Sequence, residues 1–279
     1  MSEEEGLGLI AGAGLLPRLI AEDRRRRGAP YLVVAFDGEG GPQDWLPTHP
    51  HFIARYEKPG ALFKALKGAG VTTVAFAGAM SRPKIKPLAF DLTAARLAPR
   101  LTPLLKQGDD ALLRELAKVM EEQGFRLAGA HELLTDLLAP EGAFAGPAPD
   151  EAAVADIARA RALAEAIGAL DVGQGAVVAA GVCLGLETIQ GTDALLGFVA
   201  ATPQRLRTET GRSGVLYKGP KPGQDWRMDL PAIGPETVRR AADAGLAGVA
   251  VRAGGVLVLG REATVAEAER CGLFLWGEA

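Results

Sequence analysis

Leu7-Gly8-Leu9-Ile10-Ala11-Gly12-Ala13-Gly14-Leu15-Leu16-Pro17 decides the fold of the first half of the chain. A short apolar run ends in closely spaced glycines, and Leu15, Leu16, Leu19 and Ile20 then recur on one helical face before Arg24–Arg27 and Gly28. That order reads as buried strand, tight turn and helix. Tyr31–Phe36 repeats the buried-strand pattern, and His51–Ala54 is a weaker copy. Pro59–Gly68 reads as a helix with proline near its first turn, Thr72–Ala77 as a further strand, and Asp109–Gln123 as a helix stopped by Gly124. Strands alternating with helices predict a Rossmann-like parallel sheet.

Ala139–Pro149 holds three prolines and two glycines with almost no apolar periodicity. It is read as a linker, giving a Rossmann-like domain over 1–138 and a separate α/β sheet domain over 150–279. The second part opens with a helix from Asp150, as N-cap, to Gly168. A Gly-interrupted strand follows at Ala176–Leu186, and a helix starts near Gly191-Thr192-Asp193. Val215–Lys218 reads as a strand, Lys218–Asp229 as an irregular polar loop, and Gly234-Pro235-Glu236-Thr237 as a helix start leading to Gly245. Gly248–Val251 and Val256–Leu259 flank Ala253-Gly254-Gly255, which reads as a hairpin turn. Thr264–Arg270 and Leu273–Trp276 close the chain as helix and strand.

Composition narrows the function classes. The chain has 279 residues, 48% hydrophobic and 23% charged, so a disordered reading is excluded. Lys+Arg number 31 against 34 Asp+Glu, a net charge of −3, which provides no basic field for nucleic acid. Cys183 and Cys271 have no second cysteine or histidine at metal-ligand spacing and suit a reducing cytoplasm. The acidic start, Met1-Ser2-Glu3-Glu4-Glu5, is unlike a signal peptide. The longest uncharged stretch, Val172–Leu186, is short of the roughly 20 residues that cross a bilayer.

Candidate chemistry lies in three places. Gly12-Ala13-Gly14, with Asp37 after the second strand, would admit a phosphate or nucleotide, or serve only as a tight turn; Pro17 stands where the dinucleotide fingerprint has its third glycine. Gly78-Ala79-Met80-Ser81-Arg82-Pro83-Lys84 leads into a basic run to Lys106. Those cations would face an anionic substrate, form a solvated face or, with Ile85, Leu88, Phe90 and Leu92 between them, meet an anionic membrane. In the second half, polar groups fall at strand ends: Gln174, Glu187-Thr188, Gly191-Thr192-Asp193 and Lys218. Convergence of Glu187, Asp193, Asp225 and Asp229 would suit Mg²⁺ or Mn²⁺, while helix caps and surface pairs are the plainer account of Asp193 and Asp229. Lys218 and Arg227 would neutralise phosphate charge. His49, His51 and His131 lack zinc spacing, and neither a Gly-x-Ser-x-Gly elbow nor a P-loop is present. Metal-assisted attack by water survives this sieve.

Leu170-Asp171-Val172-Gly173-Gln174, the Glu187…Gly191-Thr192-Asp193 pair and Gln224-Asp225-Trp226-Arg227-Met228-Asp229-Leu230-Pro231-Ala232-Ile233-Gly234 resemble the LpxI-type UDP-2,3-diacylglucosamine pyrophosphatases of Gram-negative lipid A biosynthesis. Gly12–Pro17 and Gly78–Pro83 extend the similarity into the first half. The resemblance implies a cytoplasmic hydrolase that uses a divalent cation and directs water at the β-phosphorus of UDP-2,3-diacylglucosamine, releasing UMP and 2,3-diacylglucosamine 1-phosphate (lipid X). It makes Asp225 the essential residue. Asp225, Glu187 and Asp193 are the expected metal ligands. Gly12, Ala13, Gly14, Gly78, Met80, Lys84, Gln174, Thr188, Gly191, Thr192, Lys218 and Arg227 are the expected substrate contacts. A cleft hinged at Ala139–Pro149, peripheral contact with the inner membrane and a homodimer through an exposed edge at Leu273–Trp276 complete the expectation. The rival readings are an NAD-dependent oxidoreductase, resting on Gly12-x-Gly14 and Asp37, and a nucleotide- or lipid-binding carrier.

Overall fold

The computed structural model describes residues 5–38, 44–80, 86–106, 109–203, 206–207 and 212–279. They form two units, Met1–Thr135 with Asp225–Asp229, and Asp136–Gln224 with Leu230–Ala279.

In the first unit, β1 (Gly6–Ala11), β2 (Tyr31–Phe36), β3 (His51–Ala54), β4 (Val71–Ala77) and β5 (Arg126–Leu127) make one sheet. Its order is β3-β2-β1-β4-β5, and every pairing is parallel. Helices α1 (Leu16–Arg26), α2 (Pro59–Gly68), α3 (Leu92–Leu101), α4 (Asp109–Glu122) and α5 (Ala130–Leu133) complete it. β1 is buried along its whole length, which is why it reads as a continuous apolar run rather than an alternating one. Ile10, Val34, Leu66, Val74, Met120 and Leu127 share one core cluster. Strand order reverses between β1 and β4, the place where open α/β sheets bind ligands.

The second unit contains β6 (Gly142–Ala145), α6 (Glu151–Ala169), β7 (Gly175–Ala179), β8 (Val182–Leu186), α7 (Gly191–Ala200), β9 (Val215–Lys218), β10 (Ala232–Ile233), α8 (Pro235–Asp243), β11 (Gly248–Arg252), β12 (Leu257–Val258), α9 (Arg261–Cys271) and β13 (Phe274–Glu278). The main sheet runs β6-β13-β11-β9-β7-β8. Its β9, β11 and β13 are mutually parallel, whereas β6, β7 and β8 pair antiparallel. The two-domain α/β expectation therefore stands, with a mixed sheet in the second unit.

Four local readings change. Ala176–Leu186 is a hairpin, not one strand: Ala180 and Gly181 take φ of 49° and 76°, and the carboxylate of Asp156 accepts both of their N–H groups, at 2.9 and 2.7 Å. An alanine in the left-handed region gives no turn signal in sequence; the buried carboxylate on α6 holds it there. The hairpin expected around Ala253-Gly254-Gly255 does not form, because β11 already has β9 and β13 on its two edges. Leu257–Val258 pairs instead with Ala232–Ile233. Leu273–Trp276 is not an exposed edge, since β6 covers β13. That covering strand comes from the Pro/Gly-rich stretch read as a linker, where Gly142–Ala145 pairs along β13.

Replacing the Asp156 carboxylate leaves two turn N–H groups without their acceptor. Asp156→Ala should lower unfolding stability by about 2–3 kcal/mol. Urea titration of the two proteins checks this; an unchanged midpoint would remove Asp156 from the account of the turn.

Candidate functional site

At the switch point the ends of β1 and β4 are joined backbone to backbone. Gly12 N donates to Ala77 O at 2.8 Å, Ala13 N to Ala79 O at 2.7 Å, and Ala79 N to Ala13 O at 3.0 Å. A side chain on Gly12 would strike the carbonyls of Gly78 and Ala79, and Gly78 has φ +87°. The close approach explains these glycines without a ligand, and it occupies the N–H groups of Gly12 and Ala13. Gly14 takes φ +98°, and the first turn of α1 has no side-chain cap. Met80 is exposed. Lys84 lies outside the described residues. Asp37 donates its N–H to Ala54 O and is exposed.

Asp225 opens a five-residue segment, Asp225–Asp229, that belongs to the first unit although the chain on both sides of it belongs to the second. Asp225 O accepts from Met228 N at 2.9 Å and Asp229 N at 3.2 Å, closing a turn. Met228 is buried in the same cluster as Met120 and Phe125, which anchors the segment. Trp226 meets the His131 ring edge to face, centroids 6.2 Å apart. The Asp225 carboxylate is gripped by Arg227: Oδ1 accepts from the backbone N and from Nε, each at 3.0 Å, and Oδ2 accepts from Nη2 at 2.7 Å. Arg227 Nη1 reaches Glu121 Oε1 on α4 at 3.0 Å. These hydrogen bonds hold the Asp225 carboxyl below the usual carboxylate range, against an opposing effect of burial, and raise Arg227. Arg227, expected among the substrate contacts, is matched by two carboxylates.

In the second unit three expected residues meet. Lys218, last in β9, donates from Nζ to Thr192 Oγ1 at 2.7 Å, and Thr192 donates to Glu187 Oε1 at 2.9 Å. Lys218 Nζ stands 3.8 Å from Glu187 Oε1. All three are buried. Glu187 Oε2 and Gln174 Oε1 are buried acceptors without a hydrogen-bond partner. Thr188 is exposed and bonds Gln190, while Gly191 opens α7 at φ +82°.

The sequence matches a model of the LpxI N-terminal domain over residues 6–137 and one of the LpxI C-terminal domain over 140–276. It is 42% identical over 272 residues to the UDP-2,3-diacylglucosamine pyrophosphatase LpxI of Caulobacter vibrioides, covering 97% of this chain and 96% of that protein. The chain belongs to the LpxI family.

Among the described residues no three His, Cys, Asp or Glu side chains gather. Glu187 and Asp193 diverge within the second unit. Thr192 and Asp193 are adjacent on α7 and so project about 100° apart, and with Thr192 turned inward Asp193 is exposed, 3.6 Å from Arg240. Asp229 is also exposed. Glu187 and Asp193 therefore do not share one face of the second unit.

Sequence reading missed Glu121, whose helix reads only as a core stripe. Its pairing with Arg227 spans 106 positions, and no local spacing announces it. It also missed that Gly173 and Gly175 make room for Glu187.

The Asp225–Arg227 pair fixes the sign of one pH effect. A carboxyl whose folded pKa lies below its unfolded value of about 3.9 stabilises above that value and loses the contribution as pH falls through the folded pKa. Arg227→Met should therefore be less stable than wild type at pH 7, and the gap should narrow below about pH 4. Denaturant midpoints at pH 7 and 3.5 measure it; a gap that widens in acid contradicts the pairing.

Proposed function

We propose that this LpxI-family protein hydrolyses the diphosphate of UDP-2,3-diacylglucosamine, the substrate its relative is named for, to UMP and 2,3-diacylglucosamine 1-phosphate in lipid A biosynthesis. The similarity to that relative across both units carries the reading. Water attacks the β-phosphorus, the bond from that phosphorus to the bridging oxygen breaks, and the bridging oxygen leaves on UMP. No covalent enzyme intermediate is needed, so the protein's work is positioning and charge compensation. Asp225 is the proposed catalytic residue: held ionised by Arg227, its carboxylate orients the attacking water and accepts from it. The buried ammonium of Lys218 receives phosphoryl oxygen. Gly14, Gly78, Met80, Gln174, Thr188 and Gly191 supply further substrate contacts.

A divalent cation, Mg²⁺ or Mn²⁺, is proposed to arrive on the diphosphate and lower its charge; such an ion is usually held by one or two carboxylates plus substrate phosphates. The protein works in the cytoplasm. It meets the inner membrane through Leu88 and Leu92, both fully or largely exposed beside the exposed Lys86 and Arg96. No described helix is long and apolar enough to cross a membrane. The homodimer would pair through a sheet edge at β6 or β8, because β13 is covered.

Radiolabelled UDP-2,3-diacylglucosamine tests the reaction directly. Turnover should require Mg²⁺ or Mn²⁺ and stop with EDTA, and in ¹⁸O-water the label should enter lipid X rather than UMP. Asp225→Ala should abolish hydrolysis while remaining folded by circular dichroism. More than about a tenth of the wild-type rate, a loss under ~1.4 kcal/mol, would falsify the assignment of Asp225. Co-sedimentation with phosphatidylglycerol vesicles should be lost in the double variant Leu88→Ser, Leu92→Ser; equal sedimentation removes that membrane face.

A further inference from the structure

The turn after β8 folds back onto the start of β7. Glu187 N donates to Gly175 O at 2.8 Å. A side chain on Gly173 would strike the Glu187 backbone carbonyl, and a Cβ on Gly175 would stand 2.6 Å from Glu187 Oε2. Gly173-Gln174-Gly175 is thus a seat shaped for one glutamate. From that seat Glu187 accepts the Thr192 hydroxyl proton, and a hydroxyl that has given its one proton can only accept from Lys218. The direction of the chain is fixed: ammonium to hydroxyl to carboxylate.

The Lys218 and Glu187 side chains are only 9% and 7% exposed. Their charged atoms stand 3.8 Å apart, beyond direct hydrogen-bond reach, and Thr192 mediates. The ammonium carries three N–H groups, and the second carboxylate oxygen has no partner. A buried ion pair with capacity left over is a poor stabiliser compared with apolar packing of equal volume. It is a suitable device for aiming a charge.

We propose that Glu187 and Thr192 are positioning residues that aim the Lys218 ammonium at a phosphoryl oxygen of the substrate, with Gly175 providing the room for Glu187. This rests on the pyrophosphatase reading above. Lys218 would meet the same phosphoryl group in substrate and transition state, so loss of aim acts on KM more than on kcat.

Thr192→Val keeps the shape and removes the relay; Thr192→Ser keeps the hydroxyl. With UDP-2,3-diacylglucosamine at saturating Mg²⁺, Thr192→Val should raise KM about tenfold with kcat within about threefold of wild type, and Thr192→Ser should restore KM. Glu187→Gln and Gly175→Ala should shift KM in the same direction. A lowered melting temperature with unchanged KM would show a structural role only. Recovery of the Glu187→Gln defect at raised Mg²⁺ would make Glu187 a metal ligand. Either result overturns the proposal. Acetic anhydride labelling read by mass spectrometry tests the relay without turnover: Lys218 should acetylate several times faster in Thr192→Val than in wild type or Thr192→Ser. Equal labelling overturns the relay even where hydrolysis is confirmed. An inactive wild type with the expected labelling instead overturns the pyrophosphatase reading alone.

Discussion

A lysine ammonium enclosed at the end of a strand must find its hydrogen bonds inside the protein. Lys218 finds one in Thr192, which donates its own proton to Glu187, and the β7–β8 hairpin and α7 are arranged around that chain. The β7–β8 hairpin brings Glu187 back beside Gly175, and the inward face of α7 supplies Thr192. Two glycines keep the seat clear. In the first unit the matching constraint concerns backbone rather than charge: the ends of β1 and β4 satisfy each other's N–H and C=O groups. In both units, groups at strand ends are satisfied by specific partners within the protein.

The same accounting separates residues that look alike in sequence. Glu187, Asp193, Asp225 and Asp229 are four carboxylates in one half of the chain, yet Glu187 faces a buried hydroxyl and lysine, Asp193 faces Arg240, and Asp225 is clasped by Arg227. Charge type alone pointed to a shared ion. Helical geometry and the fork of one guanidinium give them separate partners within their units.

The parallel sheet of the first unit was legible because β1, β2 and β4 are apolar runs bounded by glycine, and the helices between them carry period-3.6 faces. The convergence of Glu187, Thr192 and Lys218 was partly legible, since all three are polar residues at the ends of apolar segments. What remained hidden was non-local. Asp156 holding Ala180, β6 covering β13, and Glu121 reaching Arg227 each join positions whose own neighbourhoods give no sign of the partner. The failed hairpin at Ala253–Gly255 shows the other limit, for a good turn sequence cannot pair strands whose edges are already taken.

Asp225–Asp229 leaves the unit that precedes and follows it in sequence and lodges Met228 in the core of the other. The division of the sequence into halves is consequently not the division into units. A fragment ending near Thr135 would lack both its borrowed methionine and the aspartate–arginine clasp, and genetic exchange of one half for a foreign counterpart would have to preserve this five-residue loan.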